Sequence, residues 1–374
     1  MTTETSNNIF IDIIVNICNK ILFGVSDGNS EIELPDLSVA DWDKLFSIAS
    51  MNGVLPVVMQ VFEQRQIEST SVRQVIIKWY AVTQNYKKGY QKRISTMQEL
   101  AMMFAEAGID VMFFKGAALA QYYPNPEWRV FSDIDYFLFG KSKEGGLTLK
   151  KHDIVNAAYY HHHTQSSHNG VLLENHYDFI ERLNHKRHLI LDDKLKELAT
   201  TEGHQIKASF LGDDIKNAYV MTPTMNAVFL LRHMAAHFAS ETITLRMLYD
   251  WTLFLRKEEK TIDWDTVIPL YETADLIGFA GIIQYLLYTY LGMTFEAVPH
   301  ISVDEEKALR VWNSISPPPV FDAYKKYSLK YFIFEGKKFL ENKWKHKIVY
   351  PHESFEWLFL RYAWSHIKHK RIKI

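Results

Sequence analysis

The sequence predicts an α+β fold, a small sheet-bearing core set between two helical regions. Three observations predict it. From Val72 to Ala107 the apolar residues (Ile76, Ile77, Tyr80, Ile94, Met97, Leu100, Met103, Phe104) recur at helical spacing. The period then changes at Asp110-Val111-Met112-Phe113-Phe114, a short and almost wholly apolar run of the kind a buried strand needs. Thr222-Pro223, a hydroxyl cap with proline in the first turn, then reopens a helical pattern. The expected partition is a helical region over 1–108, an α/β core over 109–215 and a second helical region over 216–374.

Taken in order, residues 9–24 predict an amphipathic helix, and Gly24 to Pro35 a loop rich in Gly, Ser, Asp and Pro. Ser38 caps a run carrying Trp42, Leu45, Phe46 and Ile48, which Asn52-Gly53 closes. Val54-Leu55-Pro56 begins another helix, and Gly108 ends the long helical stretch before the first strand. Lys115-Gly116-Ala117-Ala118-Leu119-Ala120 turns from that strand into a short helix, which Pro124, Asn125 and Pro126 break. Phe131 to Phe139 predicts a second strand. Residues 150–160 predict a helix, 161–170 a polar connection or hairpin, and Val171 to Ile180 a third strand. Helices are expected over 224–239 and 243–257, a third capped by Asp263, and further ones to about 298. Ser316-Pro317-Pro318-Pro319 predicts a rigid break before an aromatic, lysine-rich tail.

Bulk composition narrows the class. The chain has 374 residues, too many for one comfortable core. It is 47% hydrophobic and 23% charged, as a soluble globular protein is. A formal net charge of −2 argues against bulk nucleic-acid binding as the main activity. Cys18, the single cysteine, excludes an internal disulfide framework and fits a buried apolar position in a reducing compartment. No basic stretch precedes the apolar Ile9–Val15 run, and no run approaches the roughly 18 apolar residues of a membrane span. A cytoplasmic location is the expectation.

Asp133-Ile134-Asp135 is the most informative feature. Strand side chains alternate, so both carboxylates point to one face. Like charges held together repel unless a cation lies between them. The hard cation that carboxylates select is Mg²⁺, which usually arrives with substrate phosphates. Leu173-Glu174-Asn175-His176-Tyr177-Asp178 places Glu174, His176 and Asp178 on one face of the third strand, so a third carboxylate is available beside the first two. Glu174 is favoured for it over Asp178. Lys115 and Gly116 offer a phosphate site: a point charge, and a turn where backbone can approach closely before a helix start. Arg129 either steadies the loop before Ser132 and Asp133 or reaches a triphosphate.

Several other groups read more plainly. His161-His162-His163 with His168 has no nearby cysteine and divergent neighbours, so a solvated hairpin is expected rather than a zinc site. His233 and His237 share a helix face without the glutamate a zinc-protease motif requires; packing is the expectation, with the acceptor cleft as the functional alternative. Arg246 and Asp250, four apart, read as a simple helix pair.

The order Lys-Gly, a short helix with tyrosine and proline, Arg129, Ser132-Asp-Ile-Asp, and Glu174-x-His-aromatic-Asp resembles the uncharacterised nucleotidyltransferase family of the polymerase-β-like superfamily. Asn52-Gly53-Val54-Leu55-Pro56 and His233-Met-Ala-Ala-His237 with Leu245-Arg246 and Asp250 resemble its flanking helical parts, so the likeness covers roughly residues 40–256. The resemblance implies a small mixed sheet, Mg²⁺ (with Mn²⁺ as a substitute), and transfer of a nucleoside monophosphate from an NTP to an acceptor hydroxyl. It implies metal-binding roles for Asp133 and Asp135, and for Glu174 the role of ligand or base. It implies nucleotide contacts for Lys115, Gly116, Arg129 and Ser132. His176, Asp178, His233 and His237 would fall on the acceptor side. One departure is visible: Gly116-Ala117 stands where related enzymes carry Gly-Ser. Competing expectations are an RNA- or protein-modifying toxin-type transferase, and a catalytically silent nucleotide-binding or scaffold protein. The acceptor is expected to be a small molecule, peptide or protein, with RNA not favoured and no membrane partner.

Overall fold

The computed structural model describes residues 3–24, 34–63, 69–155, 158–160, 162–181, 186–315, 329–358 and 360. The helices preceding the sheet are α1 (Thr3–Phe23), α2 (Val39–Met51), α3 (Leu55–Met59) and α4 (Thr70–Glu106). Strand β1 (Val111–Phe114), helix α5 (Gly116–Ala120), strand β2 (Asp133–Phe137) and helix α6 (Ser142–Lys151) follow. Next come strands β3 (Ala158–Tyr159), β4 (His163–His168) and β5 (Val171–His176), helix α7 (Lys186–Thr201) and strand β6 (Ala218–Val220). The remaining helices are α8 (Pro223–Ser240), α9 (Leu245–Glu258), α10 (Trp264–Thr273), α11 (Ile277–Leu291), α12 (Glu305–Asn313), α13 (Leu329–Glu341) and α14 (Lys343–Val349). The fold is α+β, as expected.

The six strands form one mixed sheet in the order β3-β4-β5-β2-β1-β6. β2 runs parallel to β5 and antiparallel to β1, and β4 and β5 form a hairpin. One face buries Val111, Phe113, Ile134, Tyr136 and Leu173 with Leu100 and Phe104 of α4. The other face begins with Met112, Phe114 and Phe137, which join the larger helical core; Phe114 meets Phe229 of α8 edge-on at 5.3 Å. At about 1.5 Å per residue, the 37 residues of α4 are long enough to touch both α2 and the underside of the sheet.

Local chemistry explains the helix limits. Ser38, Thr222 and Asp263 accept hydrogen bonds from the backbone N–H groups of Asp41, Met225 and Thr266, capping α2, α8 and α10. Gly53 takes φ +71°, and its missing Cβ leaves room for the Arg246 side chain, which a Cβ would meet at 3.0 Å. Asn52 then docks the start of α9: its side-chain oxygen accepts from the Leu245 N–H and its carbonyl from that of Arg246.

Three expectations are corrected. The helix expected over 150–160 lies earlier, as α6, and ends in a Schellman turn. Asp153 adopts φ +60°, its N–H bonds to the Lys150 carbonyl, and Ile154 N–H reaches back to Leu149. The third predicted strand stops at His176, because the N–H groups of Tyr177 and Asp178 turn to the His162 carbonyl. The last helix before residue 298 ends at Leu291, where Gly292 takes the left-handed conformation. Of the two readings for 161–170, the described residues form the hairpin: Asn169 and Gly170, both with positive φ, turn β4 into β5. His161, the Ser316–Pro319 segment and residues 361–374 lie outside the described residues. Among the described residues, no helix is long and apolar enough to cross a membrane.

Candidate active site

The register of the central strands builds the site. Asp135 of β2 lies directly beside Glu174 of β5, and Phe137 beside His176. Glu174 in turn faces Gln165 of β4, and His176 faces His163. Alternation therefore brings Asp133, Asp135, Glu174, His176 and His163 onto the face shared with Phe114. Asp133, Asp135 and Glu174 line a cleft of about 780 Å³ between the sheet and helices α4, α8 and α9.

Asp135 is the hub. It is 3% exposed and accepts hydrogen bonds from Lys115 Nζ at 2.6 Å and from His176 Nε2 at 3.0 Å. Burial works against its charge, but Lys115 and His176 outweigh burial and hold it well below the usual carboxylate range. Glu174 accepts from Gln165 Nε2 at 3.3 Å and has His163 Nε2 at 3.6 Å and His176 Nε2 at 3.7 Å. Burial raises its pKa, but the neighbouring His176 lowers it further, so it too falls below the ordinary value. Asp133 goes the other way: burial and the adjacent Asp135 charge both raise it. Oxygen and nitrogen atoms of Asp135, Glu174 and His176 all lie within 4.8 Å of one another, which suits a shared divalent cation. Asp133 is outside that set but on the same face, lining the same cleft.

Lys115 is where the chain is strained. It has φ +53°, a region a side chain with a Cβ disfavours, and the ion pair to Asp135 accompanies that strain. Gly116 is not the residue with positive φ; it is small because a Cβ there would lie 2.9 Å from the Phe131 ring. Helix α5 spans only five residues, so it offers little dipole for an anion.

Arg129 steadies the loop. Its Nε and Nη2 both donate to Asp250 at 2.8 Å, and Nη1 donates to the Gly116 carbonyl at 3.0 Å. Tyr123 adds a further bond to Asp250, and both charged partners are buried. A bidentate buried pair of this kind holds one geometry and commits three of the five guanidinium N–H groups to the loop. The same contacts correct the Arg246–Asp250 helix pair: Arg246 Nη1 donates instead to the Val130 carbonyl. Arg246 and Arg93 both line the cleft and, among the described residues, neither forms an ion pair. Burial lowers the pKa of each; Asp133 opposes this at Arg93, and at Arg246, where the Arg129 charge adds to the lowering, Asp250 opposes it first. Arg93 also lies over the Phe131 ring at 4.6 Å.

The remaining predicted residues separate. Ser132 is exposed at the cleft. His233 and His237 line the cleft from α8, with rings 4.5 Å apart. Burial pushes His233 well down and His237 to about 4, so both are neutral at pH 7. Asp178 is tied to Lys196 of α7 instead of joining Glu174. The histidine run is not a solvated hairpin: His163 is 7% exposed and sits against Glu174 and His176, although His168 does pair outward with Glu99 at 2.8 Å. The signal for His163 was present in Asn169-Gly170, since a two-residue turn there pairs 168 with 171 and hence 163 with 176. No local signal marked Arg93, which a helix 40 residues upstream of Asp133 delivers.

No curated protein and no solved structure matches the chain. A family model does, over residues 38–292, which takes in α2 through α11 and every residue of the cleft floor. The chain belongs to the uncharacterised nucleotidyltransferase family.

Proposed function

We propose that the cleft transfers a nucleoside monophosphate from an NTP to an acceptor hydroxyl, with Mg²⁺ as cofactor and pyrophosphate as the second product. The observation that carries this reading is the direct pairing of Asp135 with Glu174, with Asp133 two residues earlier on the same face of the cleft floor. Asp133, Asp135 and Glu174 would hold the divalent ions; the Asp135 and Glu174 oxygens, which with a His176 nitrogen lie within 4.8 Å of one another, suit a hard cation that keeps phosphate oxygens in its coordination shell. Bound there, Mg²⁺ neutralises charge on the phosphates and on the attacking and leaving oxygens.

The chain's own residues do the rest by positioning and electrostatics. Lys115, Arg93 and Arg246 supply positive charge to the cleft. The two guanidinium groups suit phosphate oxygens, and the hydroxyl missing at Ala117 makes these cations more important. Arg129 and Asp250 fix the loop that carries Ser132 into β2. Glu174 is charged at neutral pH and serves as ligand or as acceptor of the hydroxyl proton. Neutral His233 and His237 line the acceptor side. Leu230, Met234, Met247 and Trp251 interrupt the basic lining, which favours a small molecule, peptide or protein over a nucleic-acid backbone.

The test is release of pyrophosphate from each NTP, with and without Mg²⁺, against acceptor panels of small hydroxyl compounds, peptides, proteins and RNA. Mg²⁺-dependent release with label transferred to a hydroxyl acceptor supports the proposal. Label on RNA alone would favour the toxin-type alternative. NTP binding with no turnover on any acceptor would make the protein a silent nucleotide binder.

A further inference from the structure

We infer that His162, His163 and His176 form a second cation site, for a borderline-soft divalent ion of the zinc class, set against the carboxylate pair. One nitrogen from each ring can be chosen so that all three lie within 4.8 Å of one another. The rings cluster closely, with centroids 4.4 Å apart for His162 and His163 and 5.1 Å apart for His163 and His176. Neither nitrogen of His163 has a hydrogen-bond partner although the residue is 7% exposed, and His162 Nδ1 is buried and unpartnered as well. An unpartnered buried polar atom costs roughly 1–3 kcal/mol, so three in one place call for a ligand. Imidazole nitrogens select zinc-class ions, whereas oxygen donors select magnesium.

One carboxylate faces the cluster: Glu174 Oε1 lies 3.6 Å from His163 Nε2, while the nearby Lys115 is paired with Asp135. The backbone is already fixed: the His162 carbonyl accepts from Tyr177 N–H at 3.0 Å and Asp178 N–H at 3.2 Å, and the Tyr160 N–H donates to the His163 carbonyl at 2.9 Å. His176 Nδ1 lies 3.4 Å from the Asp178 carbonyl, the outer contact that commonly orients a metal-binding imidazole. Binding the ion would displace the proton by which His176 Nε2 contacts Asp135, coupling this site to the carboxylate site.

The inference does not depend on nucleotidyl transfer, and its test needs no turnover. The untagged full-length chain, stripped of metal, is dialysed against zinc in the presence of excess Mg²⁺, and bound zinc is counted. Cobalt is then substituted and its visible absorption recorded. The expected result is one zinc per chain retained against Mg²⁺, and cobalt bands of a nitrogen-rich site. His163→Asn and His162→Ala should each weaken retention by about 100-fold, at or beyond the upper end of losses seen for outer-shell partners. His163→Asn keeps a polar amide close to the Nδ1 position, and circular dichroism checks that the variant folds. Three results would overturn the inference: no zinc retained by the parent chain, unchanged retention in a folded double variant, or retention lost as severely in Asp133→Asn as in His163→Asn.

Discussion

On β2, Ile134 and Tyr136 sink into the core against α4, while Asp133 and Asp135, one residue away, enter the cleft. The same division runs through β5, where Leu173 is fully buried on the first face and Glu174 stands on the second. The two faces differ in what they ask of their residues. The α4 face needs only volume and apolarity, and contact with Phe104 and Leu100 fixes the strands in place. The cleft face gathers charges that repel one another, which only a rigid support can hold together. The acidic cluster is possible because its reverse side is an ordinary close-packed core.

The largest expected effect separates the faces most sharply. Asp135→Asn should lower nucleotidyl transfer by roughly 10²–10³-fold or more, the scale of losing one preorganised electrostatic contact, with the fold intact by circular dichroism. Asp135 also contributes stability, because its folded pKa is depressed. That contribution is present above the unfolded carboxylate pKa of about 3.9 and is lost as pH falls through the folded value. The stability difference between parent and Asp135→Asn should therefore shrink in acid.

Next comes the strut between the faces and the helices. Arg129→Ala leaves Asp250 buried and unpaired and should cost about 3–5 kcal/mol in denaturant unfolding. Because three of its N–H groups hold Asp250 and the Gly116 carbonyl, Arg129→Lys should disturb stability at least as much as NTP affinity. A large loss of NTP affinity at unchanged stability would return Arg129 to the triphosphate.

On the core face, Ile134→Ala should cost about 2–4 kcal/mol of stability through the cavity it leaves. Transfer per folded molecule should change little. If activity falls with no loss of stability, the division between the two faces is wrong.

The smallest effect has the opposite sign. Asp133 has a raised pKa, so its charge costs stability at neutral pH, and that cost disappears below the unfolded carboxylate pKa. Asp133→Asn should raise the metal-free melting temperature at pH 7 by on the order of 1 °C, and by less at pH 3. It should still lose transfer.

Much of this comparison was legible in the chain. Period two alone put Asp133 with Asp135 and Glu174 with His176, because alternation in a strand leaves no freedom. Capping residues gave the starts of α2, α8 and α10. What failed had non-local causes. Asp178 left the face because the chain turns at Tyr177 to meet the His162 carbonyl, a contact no local pattern encodes. Arg129 paired with Asp250, 121 residues away, so its loop sequence could not reveal that partner. Arg93 and Arg246 entered the cleft from helices whose orientation depends on tertiary packing, including the space left by Gly53. The boundary of α6 was missed because Asp153 performs a turn that glycine usually makes.

The most direct test of the shared carboxylate site is calorimetric binding of a non-hydrolysable NTP with Mg²⁺ to the parent chain and to the Asp135→Asn and Glu174→Gln variants. Magnesium should tighten nucleotide binding in the parent, and that enhancement should vanish in both variants. Equal Mg²⁺ enhancement in all three proteins would contradict the account.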